Sequence, residues 1–117
     1  MSGNFSTAAK NTMLDAITVN QLSLHSDDPG PTGTANELTG GDYLRKACAY
    51  NTASGGERAL SADVEFDVPA SSTVAYVAKW NGEVFMGSDA VTNEVYAGAG
   101  RYTVTATGSK LVLSDIV

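Results

Sequence analysis

The stretch Ser72-Thr73-Val74-Ala75-Tyr76-Val77-Ala78-Lys79-Trp80-Asn81-Gly82-Glu83-Val84-Phe85-Met86 decides the fold of this chain. Two runs of β-prone residues flank Asn81-Gly82. That dipeptide suits a type I′ hairpin turn, in which both central residues take positive φ. Side chains alternate along a strand, so Val74, Tyr76, Ala78 and Trp80 share one face of the first run. An antiparallel hairpin is therefore predicted at 72–86.

Working outward, the same alternation recurs. Asp63 to Val68 places Val64, Phe66 and Val68 on one face and Asp63, Glu65 and Asp67 on the other, until Pro69 ends the ladder. Those carboxylates read as a solvated face rather than an acid-base pair. Thr18 to Ser26 alternates Leu22 and Leu24 with polar neighbours, as a half-buried strand requires. Tyr43 to Asn51 is predicted as a strand, with Tyr43, Ala47, Cys48 and Ala49 contributing to packing. A final pair is expected at 101–107, through Tyr102 and Val104, and at 110–117, through Leu111, Leu113 and Ile116, joined by Thr107-Gly108-Ser109. One helix is legible at 6–16, with Ser6 as N-cap and Phe5, Ala9, Met13, Ala16 and Ile17 at helical spacing. Asp27 to Asp42 is a long Gly/Pro loop of residues that set turn dihedrals, and 51–57 is a second turn cluster. Together these predict a mainly β, single-domain antiparallel β-sandwich or jelly-roll-like fold over 1–117, with one short N-terminal helix.

Composition supports one folded unit. The chain has 117 residues, 43% hydrophobic and 17% charged, which is too apolar and too weakly charged for a disordered segment. A chain this long can bury about two-thirds of its surface, enough for one core. Seven basic residues against thirteen acidic ones give a net charge of −6. The basic ones are scattered, which argues against a nucleic-acid footprint. Cys48 is the only cysteine and can form neither an internal disulfide nor a Cys-rich zinc site. With no run of about eighteen apolar residues and no signal-like start, no membrane association is expected, and a protein made and kept in soluble form is.

Chemistry has few places to begin. His25, the only histidine, precedes Asp27 and Asp28 closely enough to suggest an imidazole-carboxylate pair or part of a metal site. Turn chemistry at Asp-Pro-Gly explains the aspartates equally well, and further ligands are missing. No Gly-x-Ser-x-Gly element occurs. Gly40-Gly41 and Gly55-Gly56 lack the Lys-Ser or Lys-Thr of a phosphate loop, and Gly98-Ala99-Gly100 reads as a bend. No catalytic, cofactor-binding or metal-binding residues are assigned, and no cofactor is expected. Among the aromatics, Phe66, Tyr76, Trp80, Phe85 and Tyr102 follow the core period of their strands. Phe5, Tyr43 and Tyr96 lie near loops or the terminus and are candidate interface residues.

The run from Leu24 to Arg45 also carries a resemblance. Leu24, His25, Asp28, Pro29, Gly30, Gly33, Glu37, Gly40, Gly41, Tyr43 and Arg45 resemble the pattern of small tailed-bacteriophage virion proteins, described as tail fibre-like and in some phages as capsid decoration or cement proteins. The likeness continues through Phe66 to Ala70, Thr73 to Val77, Trp80 and Gly100 to Thr105. It implies a virion structural protein without enzymatic activity, in which Glu37 or Arg45 pairs across the long loop or with a neighbouring subunit. A compact domain without heptads cannot build a long shaft. The favoured expectation is therefore a head decoration or cement protein on the outer surface of the head. It would bind the major capsid protein and copies of itself as a homo-oligomer. The alternative is a tail fibre or tail-tip component bound to tail proteins, and a third option is a carbohydrate-binding module exposing Trp80 or Tyr96.

Overall fold

The computed structural model describes residues 6–106 and 110–112. Phe5, the Thr107-Gly108-Ser109 turn, and Leu113 and Ile116 of the last predicted strand lie outside the described residues. The described residues are mainly strand, with every strand pairing antiparallel and one short helix, and form a small β-sandwich-like domain.

Helix α1 spans Thr7–Asp15, and the Ser6 hydroxyl accepts the Ala9 N–H at 3.1 Å, as its N-cap position predicts. Leu14 is its buried residue, while Ala9 and Met13 are half-buried and Ala16 is exposed. The predicted stripe is displaced because the helix is held at its C-terminal end by the Arg58 guanidinium. Arg58 Nη1 donates to the carbonyls of Leu14 at 3.1 Å and Ile17 at 2.8 Å. Its Nε and Nη2 donate to Asn51 and Tyr50 carbonyls at 2.8 and 3.2 Å. Asn11 and Asp15 side chains in turn accept the Gly56 and Ala53 N–H groups. The helix thus docks on a turn of its own domain.

Strands β1 (Gln21–His25), β2 (Lys46–Ala47), β5 (Ser72–Asn81) and β6 (Val84–Tyr96) form one sheet in the order β2-β1-β5-β6. β3 (Glu57–Ala59) pairs with β8 (Lys110–Val112), and β4 (Val64–Val68) pairs with β7 (Gly100–Val104). Leu22 and Leu24 of β1 meet Phe66, Leu60, Val77 and Val104 in the core. The predicted alternation of β4 holds: Val64, Phe66 and Val68 are buried, whereas Glu65 and Asp67 reach Arg101 at 3.2 and 3.7 Å.

The 43–51 segment departs from its prediction. Only Lys46 and Ala47 enter the ladder, opposite Leu22 and Gln21, and Ala47 and Ala49 are exposed while Cys48 and Tyr50 are half-buried. Tyr43 and Arg45 commit their side chains to the preceding loop, so pairing starts only at Lys46. The hairpin turn also shifts by one residue. Asn81 pairs with Val84, leaving Gly82 and Glu83 central, and only Gly82 of these has positive φ, at 58°. That is the pattern of a type II′ turn, which needs glycine at its first central position. Asn20 fixes the register by accepting the Gly82 N–H at 2.9 Å and approaching the Asn81 side chain.

β6 runs well beyond Met86. Its pairing with β5 breaks register between Val74 and Tyr76 and again between Lys79 and Trp80. Among the described residues no strand pairs with its outer side. Bulges and the carboxylates Asp89 and Glu94 are the usual means of discouraging strand addition there. Of the aromatics expected in the core, Phe66 and Trp80 are buried, but Tyr76, Phe85 and Tyr102 are only half-buried. No described helix is long and apolar enough to cross a membrane.

Candidate functional site

The residues of the 24–45 motif converge on β1, which is buried on both faces. Leu22 and Leu24 face the core, and Ser23 and His25, of opposite parity, would face water in a half-buried strand. Instead the loop after β1 folds back over them. Asp28 Oδ1 accepts the Gly30 N–H at 2.8 Å, which closes the Asp-Pro-Gly turn, and Pro29 is buried beneath it. Asn36, at φ 63°, aims its carbonyl at the Ser26 N–H, and the Leu38 N–H reaches the Leu24 carbonyl at 3.0 Å. His25 and Glu37 are joined in an antiparallel bridge. Gly33, at φ 77°, lies flat under the Phe85 ring.

Beneath this loop runs a chain of polar contacts. Trp80 Nε1–H donates to Ser23 Oγ at 2.8 Å, and Ser23 Oγ lies 2.7 Å from His25 Nε2. His25 Nδ1 lies 2.8 Å from the Ala35 carbonyl, an acceptor, so Nδ1 carries the proton and Nε2 accepts from Ser23. Burial lowers the His25 pKa below its ordinary 6.5 against the opposing pull of the Ala35 bond and Glu37, so the imidazole is held neutral. Ser23 and His25 have the composition of a nucleophile and base. Both are 0% exposed, and the serine oxygen is already occupied by the indole.

A second set of contacts brings Glu37, Tyr43 and Arg45 together. Glu37 Oε2 accepts the Tyr43 hydroxyl at 2.8 Å and Arg45 Nε at 3.0 Å, and Oε1 accepts Arg45 Nη2 at 2.9 Å. Desolvation works to raise the Glu37 pKa, but the bonds from Arg45 and Tyr43 outweigh it and hold the carboxyl below its ordinary 4.5. The Tyr43 hydroxyl also accepts the Leu24 N–H at 3.0 Å, and its ring stacks on Phe66. Burial pushes its ionisation far upward. The Arg45 guanidinium lies 3.9 Å over the Trp80 ring, linking the two networks by a cation-π contact.

Of the residues singled out in the sequence, Glu37, Tyr43 and Arg45 therefore form one cluster, half-buried and mutually bonded. Tyr96 lies elsewhere: its ring covers Gly100, and its hydroxyl donates to the Arg101 carbonyl at 2.7 Å. Phe5 is outside the described residues. Asp27 and Asp28 make backbone contacts at the turn rather than contacts to His25. Among the described residues no group of three or more potential metal ligands occurs. The Cys48 thiol is pushed up to about 11 by burial. Trp80 is 2% exposed, so it offers no stacking platform for a sugar. Ser23, which links Trp80 to His25, was the position missed by alternation. The available signal was that Ser23 and His25 share the parity opposite to Leu22 and Leu24, directly before a loop long enough to cover them.

An open groove of about 510 Å³ lies beside the loop, between Thr39 to Asp42, the end of β4, and Gly100. Its walls are mostly glycine backbone and small side chains, with Asp42 and Asp67 as the charged groups.

No curated protein and no solved structure matches the chain. A family model does: residues 4–114 match the podophage GP4 fiber I protein gp80. That match takes in every described element from α1 to β8, including the whole loop clasp. The chain therefore belongs to the podophage GP4 fiber I protein gp80 family, whose members are structural proteins of the tailed-phage virion.

Proposed function

We propose that this chain is a globular module of a phage fibre, acting by shape and binding and without catalysis or a cofactor. The observation that carries this reading is the inward direction of the motif. His25, Glu37, Tyr43, Arg45 and Trp80 satisfy one another and the backbone, leaving the loop as a rigid surface feature. A motif that builds shape serves a protein whose partners read its outer contour. The fibre description of the family favours the tail-associated location over the head surface that the resemblance and the small size suggested together. Lacking heptads, the domain would be a knob or joint rather than a shaft. Partners would be further copies of this chain and another tail or fibre protein, with the exposed apolar side chains Leu44, Val84 and Val95 as anchor points.

Imaging of virions that lack this protein tests the proposal. Missing fibre or tail density on intact heads is expected. Loss of knobs from the head surface, or heads that leak DNA on heating, would overturn the fibre location in favour of decoration. A sugar-binding role would appear as retention on a glycan array, with loss on substitution at Tyr96.

A further inference from the structure

The polar network under the loop has one satisfied arrangement. Trp80 donates to Ser23, Ser23 to His25 Nε2, and His25 Nδ1–H to the Ala35 carbonyl, so each of these hydrogens has an acceptor. A proton added at Nε2 removes an acceptor and creates a donor. Nε2–H can then bond to Ser23 Oγ only if the Ser23 hydroxyl turns away, and that hydrogen loses its His25 acceptor in a place with no exposure to water. The surroundings do little to relieve this. Ser23 lies on the same strand and Tyr76 is directly opposite on β5. From the loop come the Ala35 carbonyl, the Glu37 carboxylate, which favours the imidazolium, and the Arg45 cation, which opposes it. Glu83 acts on Arg45 rather than on His25. Loss of the Glu37 charge would leave His25 facing Arg45 alone.

What holds residues 26–37 down differs from what holds the rest of the loop. Leu38 belongs to the core, and Tyr43 packs against it. Residues 26–37 are tied through Pro29, the Ala35 bond to His25, Gly33 under Phe85, and Glu37. Two of these ties are titratable. We propose that residues 26–37 form an acid-released clasp, which lifts from the sheet when His25 and then Glu37 take up protons, freeing the Arg45 guanidinium that lies over Trp80 while the core of the sandwich stays folded. The direction of both pKa shifts agrees with this, since each favours the unprotonated, clasped form.

Trp80, the only tryptophan, supplies the readout. Acrylamide quenching of the full chain is followed on acidification from about pH 8 to about pH 4, alongside far-UV circular dichroism. Quenching is expected to rise several-fold before the dichroism changes. His25→Gln, which cannot ionise, should move the first rise to the lower range set by Glu37. Should that variant fail to fold, hydrogen exchange of the unsubstituted chain serves instead: the Ser26 and Ala35 amides should lose protection while β5 amides keep theirs. Coincident quenching and dichroism transitions, a Trp80 that stays shielded throughout, or uniform loss of protection would each overturn the proposal.

Discussion

A methyl group at Gly33 would lie 2.2 Å from the Phe85 ring, and the residue has φ 77°. Gly33→Ala should therefore combine overpacking with left-handed strain, costing about 2–4 kcal/mol and lowering the midpoint of a calorimetric melt. A comparable loss is expected at the Glu37 carboxylate, which accepts from Tyr43 and Arg45. Glu37→Gln should destabilise by about 1.5–3 kcal/mol in urea titrations, because it withdraws charge-assisted bonds from an Arg45 committed to the Trp80 face. The resemblance offered Glu37 or Arg45 as pairing across the loop, which they do with each other, but the Tyr43, Trp80 and Phe85 contacts were not offered. Glu37 meets Arg45 across 8 positions and Trp80 meets Ser23 across 57, and spacing alone contains neither distance.

At the scale of elements, alternation found β1 and β4 because Leu22 and Leu24, and Val64, Phe66 and Val68, are buried in the expected parity. In β5 the bulge after Val74 puts Val77 rather than Tyr76 in the core, and β6 buries no residue fully, so that hairpin was marked by its turn and its β-prone residues. Alternation could not find the second buried face of β1 and β5, nor the length of β6, where bulges break the period that marks a strand. Helix α1 was legible through its cap, yet its docking was not, since that rests on Arg58 reaching four carbonyls and on Asn11 and Asp15 accepting N–H groups of the 51–57 turn. Arg58→Met should cost about 2–4 kcal/mol by leaving several of those carbonyls without a partner, and Lys should rescue little because it lacks the planar fork. A chain beginning at residue 18 should be destabilised in the same denaturant assay, since Arg58 loses the Leu14 and Ile17 carbonyls.

For the whole molecule, the consequence is an acid-sensitive stability. The folded pKa of His25 lies below its ordinary 6.5, so the unfolded chain binds that proton first. Its contribution is complete above pH 6.5 and is lost as pH falls through the folded value. Glu37, depressed from 4.5, adds a second loss below that point. Urea midpoints should be flat above about pH 7 and fall in acid, and Glu37→Gln should flatten the lower limb. The size of the chain, its acidity, its strand periodicity and its turn-rich loop were determined by the sequence alone, because local sterics and side-chain alternation act between near neighbours. Only the tertiary structure decided that the loop folds back on β1, so that polar residues expected to face water became a buried network. Closing that loop brings together residues far apart in the chain, and their hydrogen bonds exist only once it is closed.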